Sequence, residues 1–211
     1  MKKSSFIILA SCLVLLIAVV ATWVFTSTPA SKIGKVETIA TTKATTAGIE
    51  GLGGSWTLTD HNGQTVTDRD VTGSYRLMFF GFTYCPDICP TELKRLTLVL
   101  EGLGDEAAKV KPLFVTIDPE RDTPEVLKEY LGRFDDRILG LTGTVEQVKH
   151  MEKIFKVYSA KAEDPALTDY MVNHSALVYL LSPDDKVLHL FHSKDTPEEM
   201  IAHIRGLLKT P

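Results

Sequence analysis

Cysteine is scarce in this chain. There are three, Cys12, Cys85 and Cys89, and that excludes a scaffold stapled by several disulfides. Basic clusters are also missing. The formal net charge is −4 and the lysines and arginines are scattered, which argues against nucleic acid as a partner. No residue pattern for a nucleotide, haem or flavin site stands out, and no segment repeats. Sulfur chemistry, if there is any, must come from one close pair and one outlier.

One long apolar run is present. Lys2 and Lys3 precede an uncharged stretch from Phe6 to Phe25. As a helix it spans about 30 Å, the thickness of a bilayer core. A cleavable signal peptide has a shorter apolar core of about 7–15 residues. Trp23 lies near the outer end, where interfacial aromatics belong. The run therefore reads as an uncleaved membrane anchor, residues 1–25, with the lysines inside and the rest exported. Leu9-Ala10-Ser11-Cys12 resembles a lipoprotein processing box, but the apolar stretch continues for 13 residues beyond Cys12. A membrane-buried cysteine is the plainer reading. Residues 26–54 are rich in Thr, Ala, Ser and Gly and read as a flexible tether. A domain over 55–211 is long enough for a sizeable core.

Within that domain, strand-like and helix-like segments alternate. Trp56–Thr59 and Thr65-Val66 suggest a short hairpin. Tyr75–Phe80 and Pro112–Ile117 read as buried strands. Thr91–Leu103 has apolar residues at 93, 96, 99, 100 and 103, which is helix spacing. Helices are also expected from Asp122-Thr123-Pro124-Glu125 to about Arg133 and over Val145–Phe155. Ala176–Leu181 and Lys186–Phe191 suggest a late hairpin. Thr196-Pro197-Glu198-Glu199 is a capping box that opens a last helix. This order predicts an α/β fold.

The cysteine pair lies in Gly81-Phe82-Thr83-Tyr84-Cys85-Pro86-Asp87-Ile88-Cys89-Pro90, between a strand and a helix. Such a dithiol can exchange with a disulfide or hold a soft metal ion. A purely structural disulfide is weaker, because a five-residue loop removes little chain entropy. Pro90 suits a first helical turn, so Cys89 is expected at or beside the N-cap with its thiolate favoured by the helix dipole. The gap is one residue wider than the ordinary C-x-x-C redox motif. Two thiolates rarely satisfy a metal alone. Of His61, His150, His174, His189, His192 and His203, only His174 ends a polar loop directly before a strand of the late hairpin. Two sulfurs and one imidazole fit copper better than zinc, whose structural sites want four ligands.

Three segments, Gly-Phe-Thr-Tyr-Cys-Pro-Asp-Ile-Cys-Pro (81–90), Phe-Val-Thr-Ile-Asp-Pro-Glu-Arg-Asp-Thr-Pro (114–124) and Asp-Tyr-Met-Val-Asn-His-Ser (169–175), together resemble the SCO/SenC family of copper-binding proteins. The resemblance covers essentially the whole domain and extends to the N-terminal anchor. It implies a thioredoxin-like fold, a central mixed sheet flanked by helices. It implies copper, as Cu(I) and/or Cu(II), held by Cys85, Cys89 and His174. It also implies a role in building the dinuclear copper centre of cytochrome c oxidase, by supplying copper or by reducing that subunit's cysteines. The expected partner is therefore the copper-centre subunit. The expected location is the bacterial inner membrane, single-pass, with the domain on the periplasmic side.

Some details bear on how far the resemblance carries. Many family members have Asp before the histidine, where this chain has Asn173. An amide can orient an imidazole but does not attract the cation. Asp87 either adds negative charge near the ion or only shapes the turn after Pro86. Asp118 is a candidate for supporting the site or docking a partner, while Arg121, Asp122 and Pro124 read as loop-shaping residues. Two rival functions remain. A thiol–disulfide reductase would use Cys85 and Cys89 as a redox couple, but thioredoxins carry a cis-proline where His174-Ser175 falls here. A peroxidase-like enzyme would need only one of the cysteines.

Overall fold

The structure is a computed structural model that describes residues 48–162, 171–174 and 176–209. The anchor expected at Phe6–Phe25 and most of the expected tether lie outside these residues. Among the described residues no helix is long and apolar enough to cross a membrane.

A seven-stranded sheet runs in the order β2-β1-β5-β4-β3-β8-β9. Its strands are β1 (Thr57–Asp60), β2 (Thr65–Thr67), β3 (Tyr75–Gly81), β4 (Val110–Thr116), β5 (Leu139–Thr142), β8 (Val178–Leu181) and β9 (Val187–Phe191). The three central strands β5, β4 and β3 are parallel to one another. The outer pairings, β1 with β2 and β5 and β8 with β3 and β9, are antiparallel. Parallel strands covered on both faces read as continuous apolar runs. In β3 every residue from Arg76 to Gly81 is buried.

Four helices cover the sheet: α1 (Ile88–Leu103), α2 (Pro124–Leu131), α3 (Val145–Phe155) and α4 (Pro197–Leu208). The apolar stripe expected on α1 is its buried face, Leu93, Leu96, Val99, Leu100 and Leu103. Thr123, Thr144 and Thr196 cap the other three helices through their hydroxyls. The capping box at Thr196, with Pro197 in the first turn, is present as expected.

Several boundaries differ from the sequence reading. Helix α1 begins at Ile88, three residues before the expected start, so Cys89 and Pro90 lie within its first turn. Strand β5 has only four residues and carries little pattern of its own. Strands β6 (Ser159–Ala162) and β7 (Met171–His174) pair with each other as a separate two-stranded ribbon. Residues 48–54, assigned to the tether on composition, run along the domain. The Ile49 N–H donates to Val187 O at 2.6 Å and the Gly53 N–H to Ile154 O at 2.8 Å. Backbone hydrogen bonds, which composition does not reveal, bind this stretch.

Candidate metal centre

Strand β3 ends at Gly81, and the loop that follows carries Cys85 and leads straight into α1. The Cys89 N–H donates to Cys85 Sγ at 3.4 Å, so the start of α1 holds the first sulfur close to the second residue. Cys89 is fully buried and Cys85 half-buried. The Cys89 sulfur rests on the glycine that ends the strand. A Cβ added at Gly81 would stand 2.8 Å from Cys89 Sγ, 2.9 Å from Phe114 Cε2 and 3.0 Å from Phe79 Cε1. Only a residue without a side chain admits the sulfur there.

The dipole argument for Cys89 does not survive its surroundings. Its thiol is pushed up, first by its hydrogen bond with Cys85, then by burial and the neighbouring Cys85 charge; the Phe82 N–H opposes this only weakly. The hydrogen bond with Cys85 and burial together disfavour the thiolate. A peroxidatic cysteine needs an accessible thiolate, so Cys89 is unsuited to that chemistry.

The dithiol loop is fastened to the end of β4 by a buried polar hub. Asp122, fully buried, accepts from the Thr83 N–H at 3.1 Å, the Thr83 hydroxyl at 2.6 Å and the Thr116 hydroxyl at 2.6 Å. These donors are neutral, and burial holds the Asp122 carboxyl above its ordinary value. The Ile117 N–H donates to Gly81 O at 2.9 Å, extending the tie. Next to it, buried Asp118 accepts from Arg121 Nε at 2.5 Å. The Arg121 guanidinium lies 4.7 Å from the ring centroid of Tyr84 and 5.9 Å from that of Phe82. Asp118 is thereby linked to the dithiol loop through Arg121. Asp87 is the N-cap residue of α1; it is exposed, and its side chain makes no cap hydrogen bond.

His174 is not the end of a loop but the last residue of β7, in register with Ser159, and Asn173 is in register with Ala160. Four residues later Val178 pairs with Phe79 of β3, antiparallel. Val178 thus lies near the end of β3 from which the dithiol loop leaves. The other histidines lie elsewhere. His61 Nδ1 accepts from the Gly140 N–H, His150 meets Ser55 O, and His189 and His203 stack on each other at 4.4 Å. Among the described residues no three His, Cys, Asp or Glu side chains form a group that would hold a metal. The two sulfurs themselves fit a soft ion, because thiolates select Cu(I).

Sequence reasoning missed Thr83 and Thr116. The two threonines stand inside the long motifs, one in the loop after β3 and one at the end of β4, and that position was the available signal.

The family model for SCO1/SenC matches residues 44–209. The chain belongs to the SCO1/SenC family. It is 42% identical over 158 residues to the protein sco1 of Schizosaccharomyces pombe, covering 74% of this chain and 60% of that one. The chain thus spans less than two thirds of that relative's length. Among solved structures, Bradyrhizobium japonicum ScoI with copper bound aligns with a TM-score of 0.69 and 41% identity, over 73% of this chain and 98% of that chain. BsSco, described as having a disulfide switch and as a member of the Sco family of cytochrome c oxidase assembly proteins, aligns with a TM-score of 0.60 and 25% identity, over 75% of this chain and 94% of that chain. The expected thioredoxin-like arrangement, a mixed sheet flanked by helices, is the fold these family structures share with it.

Proposed function

We propose that the chain is a copper chaperone for assembly of cytochrome c oxidase, holding copper through Cys85, Cys89 and His174. The observation that carries this is the close cysteine pair, Cys89 N–H to Cys85 Sγ at 3.4 Å, at the end of the central strand. A family relative with copper bound and a family member described as an oxidase assembly protein support it. In this reading Cys89 is the fixed ligand, wedged on Gly81, and half-buried Cys85 is the ligand a recipient displaces first. An imidazole from the ribbon completes the set. Copper is cargo here: when bound it draws both thiols into their ionised form and is handed on by ligand exchange to the copper-centre subunit of the oxidase. Asn173 and Asp87 are proposed to tune the site from its edge, and Asp118 to shape the docking loop.

The same proposal includes the anchor at Phe6–Phe25, which would tether the domain to the bacterial inner membrane on its periplasmic side. The reductase alternative draws no support from Cys89, whose buried thiol is disfavoured as a thiolate.

The test is His174→Ala in the full chain, with copper affinity measured by chelator competition and copper transfer to the apo copper-centre subunit. Affinity is expected to fall roughly 10- to 100-fold or more and transfer to fail. Unchanged affinity would remove His174 from the ligand set. Equal transfer by both chains would favour thiol reduction of the target instead.

A further inference from the structure

Tyr130 lies near the end of α2, and its ring packs between Phe114 and Phe134, with centroids 6.1 and 5.5 Å away. Phe114 and the Cys89 sulfur share one surface, since both lie against Gly81, within 2.9 Å of the position a Cβ would take there. One ring therefore links Tyr130 to the sulfur. The segment after α2 runs beside the helix that carries Cys89: the Asp135 N–H donates to the Thr97 hydroxyl of α1 at 3.3 Å.

The Tyr130 hydroxyl is buried and has no hydrogen-bond partner among the described residues. Buried tyrosine hydroxyls normally find one. Its neighbourhood is the side of Gly81 on which Cys89 is wedged, reached through Phe114, and burial raises the phenol above its ordinary value. The hydroxyl therefore stays protonated and can only gain by donating. In the reduced chain the Cys89 sulfur is engaged with Cys85 and the Phe82 N–H. When a soft metal takes both sulfurs, each thiol loses its proton and becomes an anionic acceptor.

We propose that the Tyr130 hydroxyl donates a hydrogen bond to the Cys89 thiolate in the copper-loaded state, making it a positioning residue of the site. This rests on the copper reading above. The hydroxyl has no partner among the described residues and gains one in the loaded form, so it adds to the preference for bound copper.

Tyr130→Phe keeps the ring and removes only the donor. The experiment uses the full chain, wild type and Y130F, with Cu(I) affinity from chelator competition and thermal unfolding of both apo and copper-loaded forms. The expected result is Cu(I) binding weakened roughly 10- to 100-fold. With it, the apo melting temperature should stay level or rise and the copper-induced shift should shrink. The sulfur-to-Cu(II) charge-transfer band should also move, because its energy depends on hydrogen bonding to the thiolate. Wild-type affinity with an unmoved band in Y130F overturns the proposal. A loss of apo and loaded stability by the same amount also overturns it, since that marks plain packing. A wild-type chain that takes up no copper overturns the copper reading and the tyrosine role together, which distinguishes it from failure of the tyrosine alone.

Discussion

Cys89 stands in the first turn of a 16-residue helix, fully buried against the central strand. His174 ends a four-residue strand that pairs with β6. The first position is held by the core itself: Gly81, Phe79 and Phe114 below, and the Asp122 hub beside the loop. The second belongs to a ribbon outside the main sheet. Two-stranded ribbons are marginal alone and need packing or side-chain ties. Here the ties are the Ser159 hydroxyl donating to buried Glu152 Oε1 at 2.5 Å, Lys149 Nζ on the other Glu152 oxygen at 2.6 Å, and an exposed pair between Lys161 and Glu120. In the proposed site the core would fix the Cys89 ligand, while the His174 side would be set by a few polar contacts. That division suits an ion that must be both held and released.

If the core side is as tightly wedged as this contrast requires, adding one methyl there has the largest effect. Gly81→Ala drives a Cβ into Cys89 Sγ, Phe114 and Phe79, all at or under 3.0 Å. Overpacking of this kind costs about 1–3 kcal/mol. None of the three neighbours is a flexible side-chain end, so the upper part of that range is expected in denaturant unfolding. The displaced sulfur should also weaken copper binding. A substitution tolerated without loss of stability would show that the wedge yields, and the contrast would collapse.

The Asp122 hub comes next. Asp122→Asn removes a carboxylate oxygen that accepts from the Thr116 hydroxyl or the Thr83 N–H, at a cost of about 1–2 kcal/mol. Its pH dependence is the sharper measurement. The folded-state carboxyl of Asp122 is raised by burial. The folded chain therefore holds this proton where the unfolded chain has lost it. Its stabilising contribution is complete below the unfolded carboxyl value, about 3.9, and is lost as pH rises through the raised folded value. The stability of wild type relative to D122N should fall across that window and be level above it. A difference that instead grows with pH would mean that the hub prefers the ionised carboxylate.

The parts of this design that were legible in the sequence are the local ones. The helix stripe of α1, the Thr196 cap and the two cysteines are each set within a few residues. The wedge was not legible, because the contact between Cys89 and Gly81 depends on the sheet and helix being packed. Its absence led to the expectation of a stabilised thiolate at Cys89, where the hydrogen bond with Cys85 and burial have the opposite effect. The hub joins Thr83 to Asp122 across 39 residues, and no periodicity announces such a bond. Strands β6 and β7 went unseen because Ser-Ala-Lys-Ala and Met-Val-Asn-His show no strong alternation. Their pairing is a long-range choice, and it makes His174 the end of a strand rather than of a loop.

The ribbon side is expected to give the smallest stability change and so to test the contrast from its other end. Ser159 is in register with His174, and its hydroxyl is tied to Glu152 on α3. Ser159→Ala deletes that bond but leaves Lys149 to hold the Glu152 carboxylate. One hydrogen bond to a charged acceptor at a part-buried position, with a second partner retained, is worth about 0.5–1.5 kcal/mol. The change in global unfolding should lie at the low end of that range, because β6 and β7 add no strand to the main sheet. Copper binding should be more sensitive than stability, since the residue opposite the proposed ligand has lost its tether to the helix. The measurement is the pair of numbers, unfolding free energy and Cu(I) affinity, on the same S159A chain. A loss in stability that exceeds the loss in affinity would make the ribbon part of the core and erase the distinction between the two sides.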